Sequence, residues 1–209
     1  MSSTPRKPRG PYRKGLERRE QILRAALEVF SEHGERGSSL KEIADRVGMS
    51  QAGVLHYFDS REDLLLAVLA ERDALDTEAA ADAMSPGEAV ARTVGHNAGQ
   101  PGLVDLFVTL SAAASDPAHP AHAFFKRRYT DLGARIQEGL DEGRRQKQIR
   151  EDVDSDLMAR LLLAVSDGIQ LQWLLDPSVD MTALVEAFNR MCAAPVGESD
   201  APSSTGEDN

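Results

Sequence analysis

The sequence of 209 residues predicts an all-α protein, built from a three-helix N-terminal domain and a larger helical C-terminal domain. Apolar residues recur three and four positions apart along most of the chain, which is the period of an amphipathic helix. Ser residues stand where several of these segments begin, and Gly or Pro residues stand where they end, as helix caps and helix breakers do.

Two short helices separated by a glycine-containing turn follow the first amphipathic helix, which should end at Gly34. Ser39 has the capping-box spacing and begins the second helix, which ends at Gly48. Ser50 can cap the third helix, which should extend to Phe58. This arrangement is the helix-turn-helix pattern, in which the second of the two short helices enters the major groove of DNA.

The C-terminal part continues as a series of helices. Ser60 can cap a fourth helix, whose apolar face includes Leu64 and Leu65. Prolines separate several of the later segments. The later helices are predicted near residues 86–99, 101–115, 120–146, 154–175 and 180–192.

Charge is distributed unevenly along a chain whose net charge is -10. Residues 1–60 carry 11 Lys or Arg and 8 Asp or Glu, whereas residues 61–209 carry 13 and 26. Because Lys and Arg supply most of the non-specific affinity for DNA, the cationic end is the one expected to face nucleic acid.

Composition also limits the class of protein. With Cys192 as the single cysteine, neither a disulfide framework nor a cysteine-based zinc site is possible within the chain. We see no signal peptide and no apolar stretch of membrane-spanning length, so a cytoplasmic protein without membrane contact is expected. No phosphate-binding loop, metal cluster or activated nucleophile is evident, and therefore no catalytic site, metal site or cofactor is predicted.

The third helix has the side chains that a DNA-contacting helix needs. Val54 and Phe58 should face the core, whereas the opposite face carries short or polar groups that could reach base edges. Gly53 is costly inside a helix and therefore suggests a close approach to another backbone or to a base. The residues expected to point outward are Gln51, Ala52, Gly53, His56 and Tyr57.

The segment from Ser39 to Leu65 resembles the signature of the TetR family of transcriptional regulators, and the resemblance extends over residues 17–66. It implies a homodimer that represses by binding a palindromic DNA operator and that is released by a small-molecule effector. Gly53 and Leu55 depart from the family pattern, where Thr and Tyr are common. The DNA-binding residues assigned on this basis are Ser39, Ser50, Gln51, Ala52, Gly53, His56, Tyr57 and Arg61.

By the same interpretation, residues 1–15 form a flexible basic arm, because prolines and glycines interrupt its Arg and Lys residues. The arm could be a solubilising tail, but its position beside the DNA-binding module favours contact with phosphates or the minor groove. The arm residues assigned to this contact are Arg6, Lys7, Arg9, Arg13 and Lys14. The other domains are a helix-turn-helix domain over 16–60, a ligand-binding and dimerisation domain over 61–194, and a disordered acidic tail over 195–209.

The effector pocket implied by the resemblance should lie among the helices of residues 86–146. Its predicted lining is mostly apolar, which favours a hydrophobic or aromatic effector, although an ordinary core edge would show the same pattern. The predicted lining residues are Phe107, Leu110, Phe125 and Tyr129. An alternative function is a regulator without a ligand, which acts constitutively or under the control of a protein partner.

The stretch from Leu161 to Trp173 is apolar nearly all round, which indicates burial on more than one side. Contact between two copies of the chain would provide this burial, and a single helix-turn-helix rarely contacts enough DNA alone. A central helix of a monomer would give the same pattern. The predicted dimer residues are Leu161, Leu162, Val165, Ile169, Trp173, Leu184 and Phe188.

Overall fold

The computed structural model describes residues 10–195, and this part of the chain is all-α, as predicted. No helix in it is both long enough and apolar enough to cross a membrane. The predicted acidic tail lies outside the described residues from position 196 onward. The helices of the described part are α1 (Gly10–Gly37), α2 (Leu40–Arg46), α3 (Gln51–Val54), α4 (Arg61–Ala79), α5 (Pro86–Asn97), α6 (Pro101–Ala113), α7 (His122–Arg145), α8 (Ser155–Leu175) and α9 (Met181–Cys192).

The prediction of a flexible arm over residues 1–15 is wrong for residues 10–15, because α1 already begins at Gly10. Pro11 does not prevent this, since a proline in the first helical turn lacks only an N–H that would have no partner there. An ion pair one turn apart, between Arg13 Nε and Glu17 Oε1 at 3.2 Å, supports the turn that contains Gly15. The rest of the predicted arm, residues 1–9, lies outside the described residues.

Serine caps begin the three helices that follow α1, at the positions that the sequence predicts. The hydroxyl oxygens of Ser39, Ser50 and Ser60 each accept a hydrogen bond from the backbone N–H three residues later, at 3.0–3.1 Å. Gly34 interrupts α1 with φ 68°, and Gly48 turns the chain after α2 with φ 64°. Both angles lie in the left-handed region that glycine adopts at little cost.

The third helix is shorter than predicted, because it ends at Val54 and not at Phe58. The Tyr57 N–H bonds to the carbonyl of Val54 at 2.9 Å, which closes a tight turn in place of a further helical turn. The tight turn buries Phe58 and leaves only Asp59 before the Ser60 cap of α4.

Buried apolar side chains form two clusters. The first joins α1, α2 and α3 to α4, α6 and Phe125 of α7, and the second joins α5, α7, α8 and α9. Because Leu64 and Leu65 of α4 belong to the first cluster, the core around the helix-turn-helix continues past residue 60. The domain boundary between residues 60 and 61 therefore stays a prediction.

Backbones approach closely where α6 crosses α1. Gly102, in the first turn of α6, is buried against the Phe30 carbonyl, and a Cβ at this position would lie 1.9 Å from that oxygen. The same Cβ would lie 2.7 Å from the Gly34 nitrogen. This crossing connects the DNA-binding module with the C-terminal helices.

Candidate DNA-binding surface and ligand cavity

Charged side chains of α1 hold the helix-turn-helix in position. Arg46 of α2 pairs with Glu32 of α1 at 2.9 Å. Arg18 donates a hydrogen bond to the Val47 carbonyl at 2.8 Å, at the end of α2. These contacts fix α2, and the turn after it, on α1.

The exposed side of α3 and of the turn after it carries the residues assigned to base contact. Gln51, Ala52 and His56 are exposed, and Tyr57 is half-buried with its ring 5.5 Å from that of His56. Val54 is completely buried, so the division between the core face and the outer face of α3 is confirmed. Contact of these residues with DNA stays a prediction.

Two positions in α3 and its turn depart from the pattern of the resembled family. Gly53 does not approach another backbone: a Cβ there would lie 3.1 Å from Met49 Cε and 3.3 Å from Ser50 Oγ. A glycine therefore leaves the Ser50 cap undisturbed. Leu55 is 40% exposed and offers an apolar group, of the kind that contacts thymine methyl groups in the major groove.

A cavity of about 340 Å³ lies between α4, α5, α7 and α8. The predicted pocket residues do not line it. Phe107, Leu110 and Phe125 are buried in the first apolar cluster, and the Phe107 ring lies behind the cavity wall, 4.8 Å from Arg128 Cζ. Tyr129 borders a separate groove between α7 and α8. The sequence did not place these residues relative to the cavity, because the period of a helix marks its apolar face but does not show whether that face meets a neighbouring helix or an open space. Contact of the four residues with an effector stays a prediction.

The cavity wall contains a buried guanidinium, that of Arg72. Its Nε donates to Asn97 Oδ1 at 3.2 Å, and its Nη2 donates to Gln170 Oε1 at 3.1 Å. Its Nη1 donates to the Leu103 carbonyl at 3.3 Å, which links the cavity to the first turn of α6. Burial lowers the pKa of Arg72 from its ordinary value, and the nearby Asp76 carboxylate opposes this effect.

Further charged groups surround Arg72. Arg128 of α7 binds Asp73 of α4 through two hydrogen bonds of 2.6 and 2.9 Å. The Tyr129 hydroxyl donates to Asp167 Oδ2 at 2.6 Å. Burial raises the pKa of the Asp167 carboxyl above its ordinary value, against the opposing effects of Tyr129 and Arg128. The wall of the cavity therefore contains charged groups that the predicted apolar pocket lacks.

Sequence reasoning missed these charged residues, although the sequence holds a signal for them. The buried stripe of α4 continues from Leu65 and Leu69 to Arg72 and Asp76 at spacings of four, three and four. Charged residues on the apolar face of a helix are buried only with partners or at functional sites. Such an interruption of the stripe predicts a polar cavity.

The predicted dimer residues divide between the core of the protomer and its surface. Leu162 and Ile169 are wrong as interface residues, since they are 2% and 5% exposed within a single chain. Val165, Trp173 and Phe188 pack partly against the same core. The reason is that α8 packs on α5, α7 and α9 of its own chain, which uses one side of the apolar run.

A different side of α8 and α9 remains exposed. Leu161 and Leu184 are 50% and 43% exposed. On α8, exposed leucines recur with small residues between them, in a pattern of alternating spacings of four and three that is typical of packed helices. This face of α8 consists of Leu157, Leu161, Ala164, Gly168, Leu171 and Leu175.

Two short capped helices that present polar side chains from a fixed core define a helix-turn-helix DNA-binding protein. Residues 22–68 match the family model of the bacterial regulatory proteins of the tetR family. The chain is 29% identical over 160 residues to the transcriptional repressor Rv1474c of Mycobacterium tuberculosis, covering 73% of this chain and 80% of that protein. It is 26% identical over 155 residues to the repressor AcnR of Corynebacterium diphtheriae, covering 72% and 78%.

The fold agrees with that of solved regulators over most of the chain. FadR of Bacillus subtilis, solved in complex with stearoyl-CoA, has a TM-score of 0.65 at 22% identity, covering 82% of this chain and 96% of that one. Over residues 22–68 in sequence, and over most of its length in fold, the chain is similar to transcriptional regulators of the TetR family. The two aligned relatives, Rv1474c and AcnR, are both named as HTH-type transcriptional repressors.

Proposed function

We propose that the protein is a repressor that binds a palindromic operator as a homodimer and leaves it when a small molecule enters the cavity between α4, α5, α7 and α8. The observation that carries the proposal is the exposed polar face of α3, held in position by α1 and by three serine caps. Operator DNA of a bacterial regulator lies in the cytoplasm, where we expect the protein to act.

Dimerisation is supported by the exposed leucine face of α8 and α9, because a contiguous apolar face on a soluble protein marks an interaction surface. A twofold axis would bring the same residues of two copies together and would set two α3 helices at neighbouring major grooves. Palindromic half-sites match this symmetry.

Control by a small molecule is supported by the position of the cavity. The buried Arg72 side chain in its wall is bonded to the Leu103 carbonyl of α6. The neighbouring Gly102 lies directly on the backbone of α1. A ligand that moves Arg72 would therefore act on the helix crossing that carries the DNA-binding module.

We expect Gln51→Ala and His56→Ala each to weaken operator binding by about 1–3 kcal/mol and to relax preference at particular base pairs, because these variants cannot bond to base edges. The operator is first selected from a random duplex library with the full chain, and affinities are then measured by titration. Gln137→Ala, an exposed glutamine of α7, is the matched control and should change nothing. Unchanged specificity in both variants would exclude base contact by this face.

Arg13→Gln with Lys14→Gln is expected to weaken binding to all duplexes alike. For each phosphate that is no longer neutralised, the slope of log affinity against log salt should fall by about one unit. Deletion of residues 1–9 tests Arg6, Lys7 and Arg9 without removing the first turn of α1. Arg127→Gln, an exposed arginine of α7, is the control. If the deletion abolished discrimination between operator and scrambled DNA, the arm would be the segment that recognises sequence.

The mode of control is tested with a cell extract that is divided into a small-molecule fraction and a protein fraction. Release of the protein from its operator is then measured with each fraction. Release by the small-molecule fraction supports the proposal. Release only by the protein fraction, or by neither fraction, would favour the alternative regulator that acts through a protein partner or constitutively.

A further inference from the structure

One carboxylate in the cavity lacks the hydrogen bonds that a buried acceptor requires. The side chain of Asp76 is 9% exposed, and its Oδ1 accepts no hydrogen bond from the described residues. The nearest cation is Arg72, whose Nε lies 3.7 Å from Oδ2, beyond hydrogen-bond distance. Buried polar groups are nearly always bonded, and this oxygen can accept a hydrogen bond from a molecule in the cavity.

Arg72 is occupied by other acceptors and leaves Asp76 incompletely compensated. Its three nitrogens donate to the neutral oxygens of Asn97, Leu103 and Gln170. Burial raises the pKa of the Asp76 carboxyl above its ordinary value, and the attraction of Arg72 only partly opposes this effect. The carboxylate would therefore gain from an additional donor.

The buried part of the cavity wall holds more carboxylates than cations. Arg72 and Arg128 face the carboxylates of Asp73, Asp76 and Asp167. The third cation of the lining, Arg135, is exposed to solvent. Asp73 is neutralised by the two hydrogen bonds from Arg128. A ligand with a single positive charge would balance the additional buried carboxylate.

We propose that the cavity binds an amphipathic amine whose protonated nitrogen donates a hydrogen bond to Asp76. This inference rests on the proposed function, because it names the chemical class of the small molecule that the cavity takes. A volume of about 340 Å³ suits a compact molecule with an apolar body. The apolar wall that would contact this body consists of Val90, Val94, Leu132, Ile136 and Leu163.

Three probes with the same apolar body test the class: 4-phenylbutylamine, 4-phenylbutanol and 4-phenylbutyrate. Thermal stabilisation of the full chain at pH 7 reports binding. The amine should bind at least about tenfold more tightly than the alcohol, since hydrogen bonds between charged groups are stronger than neutral ones. The carboxylate should not bind, because it would meet the additional buried carboxylate. Ethylamine, which lacks the apolar body, should not bind either.

Asp76→Asn keeps the size of the side chain and removes its charge. In this variant the affinity for 4-phenylbutylamine should fall about tenfold, while affinity for the alcohol stays the same. Asp82→Asn is the matched control, because Asp82 is exposed and lies outside the cavity. The ranking of the three probes with the unmodified chain tests the proposal even if Asp76→Asn does not fold.

Equal or tighter binding of 4-phenylbutyrate, or amine binding that Asp76→Asn leaves unchanged, would overturn the proposed ligand class. Release of the operator is measured in parallel and separates the two proposals. If the amine binds through Asp76 but operator affinity does not change, the ligand class stands and ligand control fails. If the amine does not bind while another small molecule releases the operator, the ligand class fails and the proposed function stands.

Discussion

Replacing Leu161 and Leu184 together by glutamate is expected to yield monomers that no longer bind the operator. Both side chains are about half exposed on the leucine face of α8 and α9, so the change should leave the fold of the protomer intact. In a dimer, four buried carboxylates would face each other across the twofold axis without partners, and such burial is strongly unfavourable.

Operator affinity should then fall to the non-specific level, about a thousandfold or more, because each monomer contacts one half-site. Sedimentation gives the oligomeric state, and far-ultraviolet circular dichroism checks the helix content. Leu75→Glu, at a 42% exposed leucine of α4, is the control and should leave the mass of the assembly unchanged. If the double variant sediments as a dimer, the interface lies on another surface.

Gly102→Ala is expected to destabilise the protein by roughly 3 kcal/mol, near the upper end of the cost of overpacking a core. The added Cβ would lie 1.9 Å from the Phe30 carbonyl oxygen and 2.7 Å from the Ser31 carbonyl oxygen. Both atoms belong to the backbone of α1, so no side-chain rotation can relieve the contact. Either α6 moves away from α1 or the clash persists.

For a chain of this size the loss corresponds to a decrease in Tm of about 6–12 °C, which calorimetry would detect. Gly133→Ala is the matched control in the interior of α7, where the nearest atom to the added Cβ is Leu163 Cδ1 at 4.0 Å. This control should be neutral or stabilise by up to about 1 kcal/mol, because alanine favours a helix over glycine. A Gly102→Ala variant as stable as the unmodified chain would mean that the helices at this crossing separate at no cost.

The sequence predicts those features of the site that arise from contacts between residues close together in the chain. Ser50 caps α3 through a hydrogen bond within four residues, so its position in the sequence was sufficient to find the cap. Val54 faces the core because of the helical period, whereas Phe58 is buried through the tight turn that follows α3. In contrast, Phe107 was predicted to line the pocket but lies behind it, because Arg128 of α7 stands between the ring and the cavity.

The helices, their serine caps and the exposed polar face of α3 follow from the sequence alone, because each depends on interactions between residues fewer than five positions apart. The cavity and the exposed face of α8 come from the packing of helices. Arg72 and Gln170 are 98 residues apart and meet only when α4 and α8 are side by side. Leu161 and Leu162 are neighbours of the same type, yet one is exposed and the other buried, since the rotation of α8 against its neighbours decides which side faces solvent.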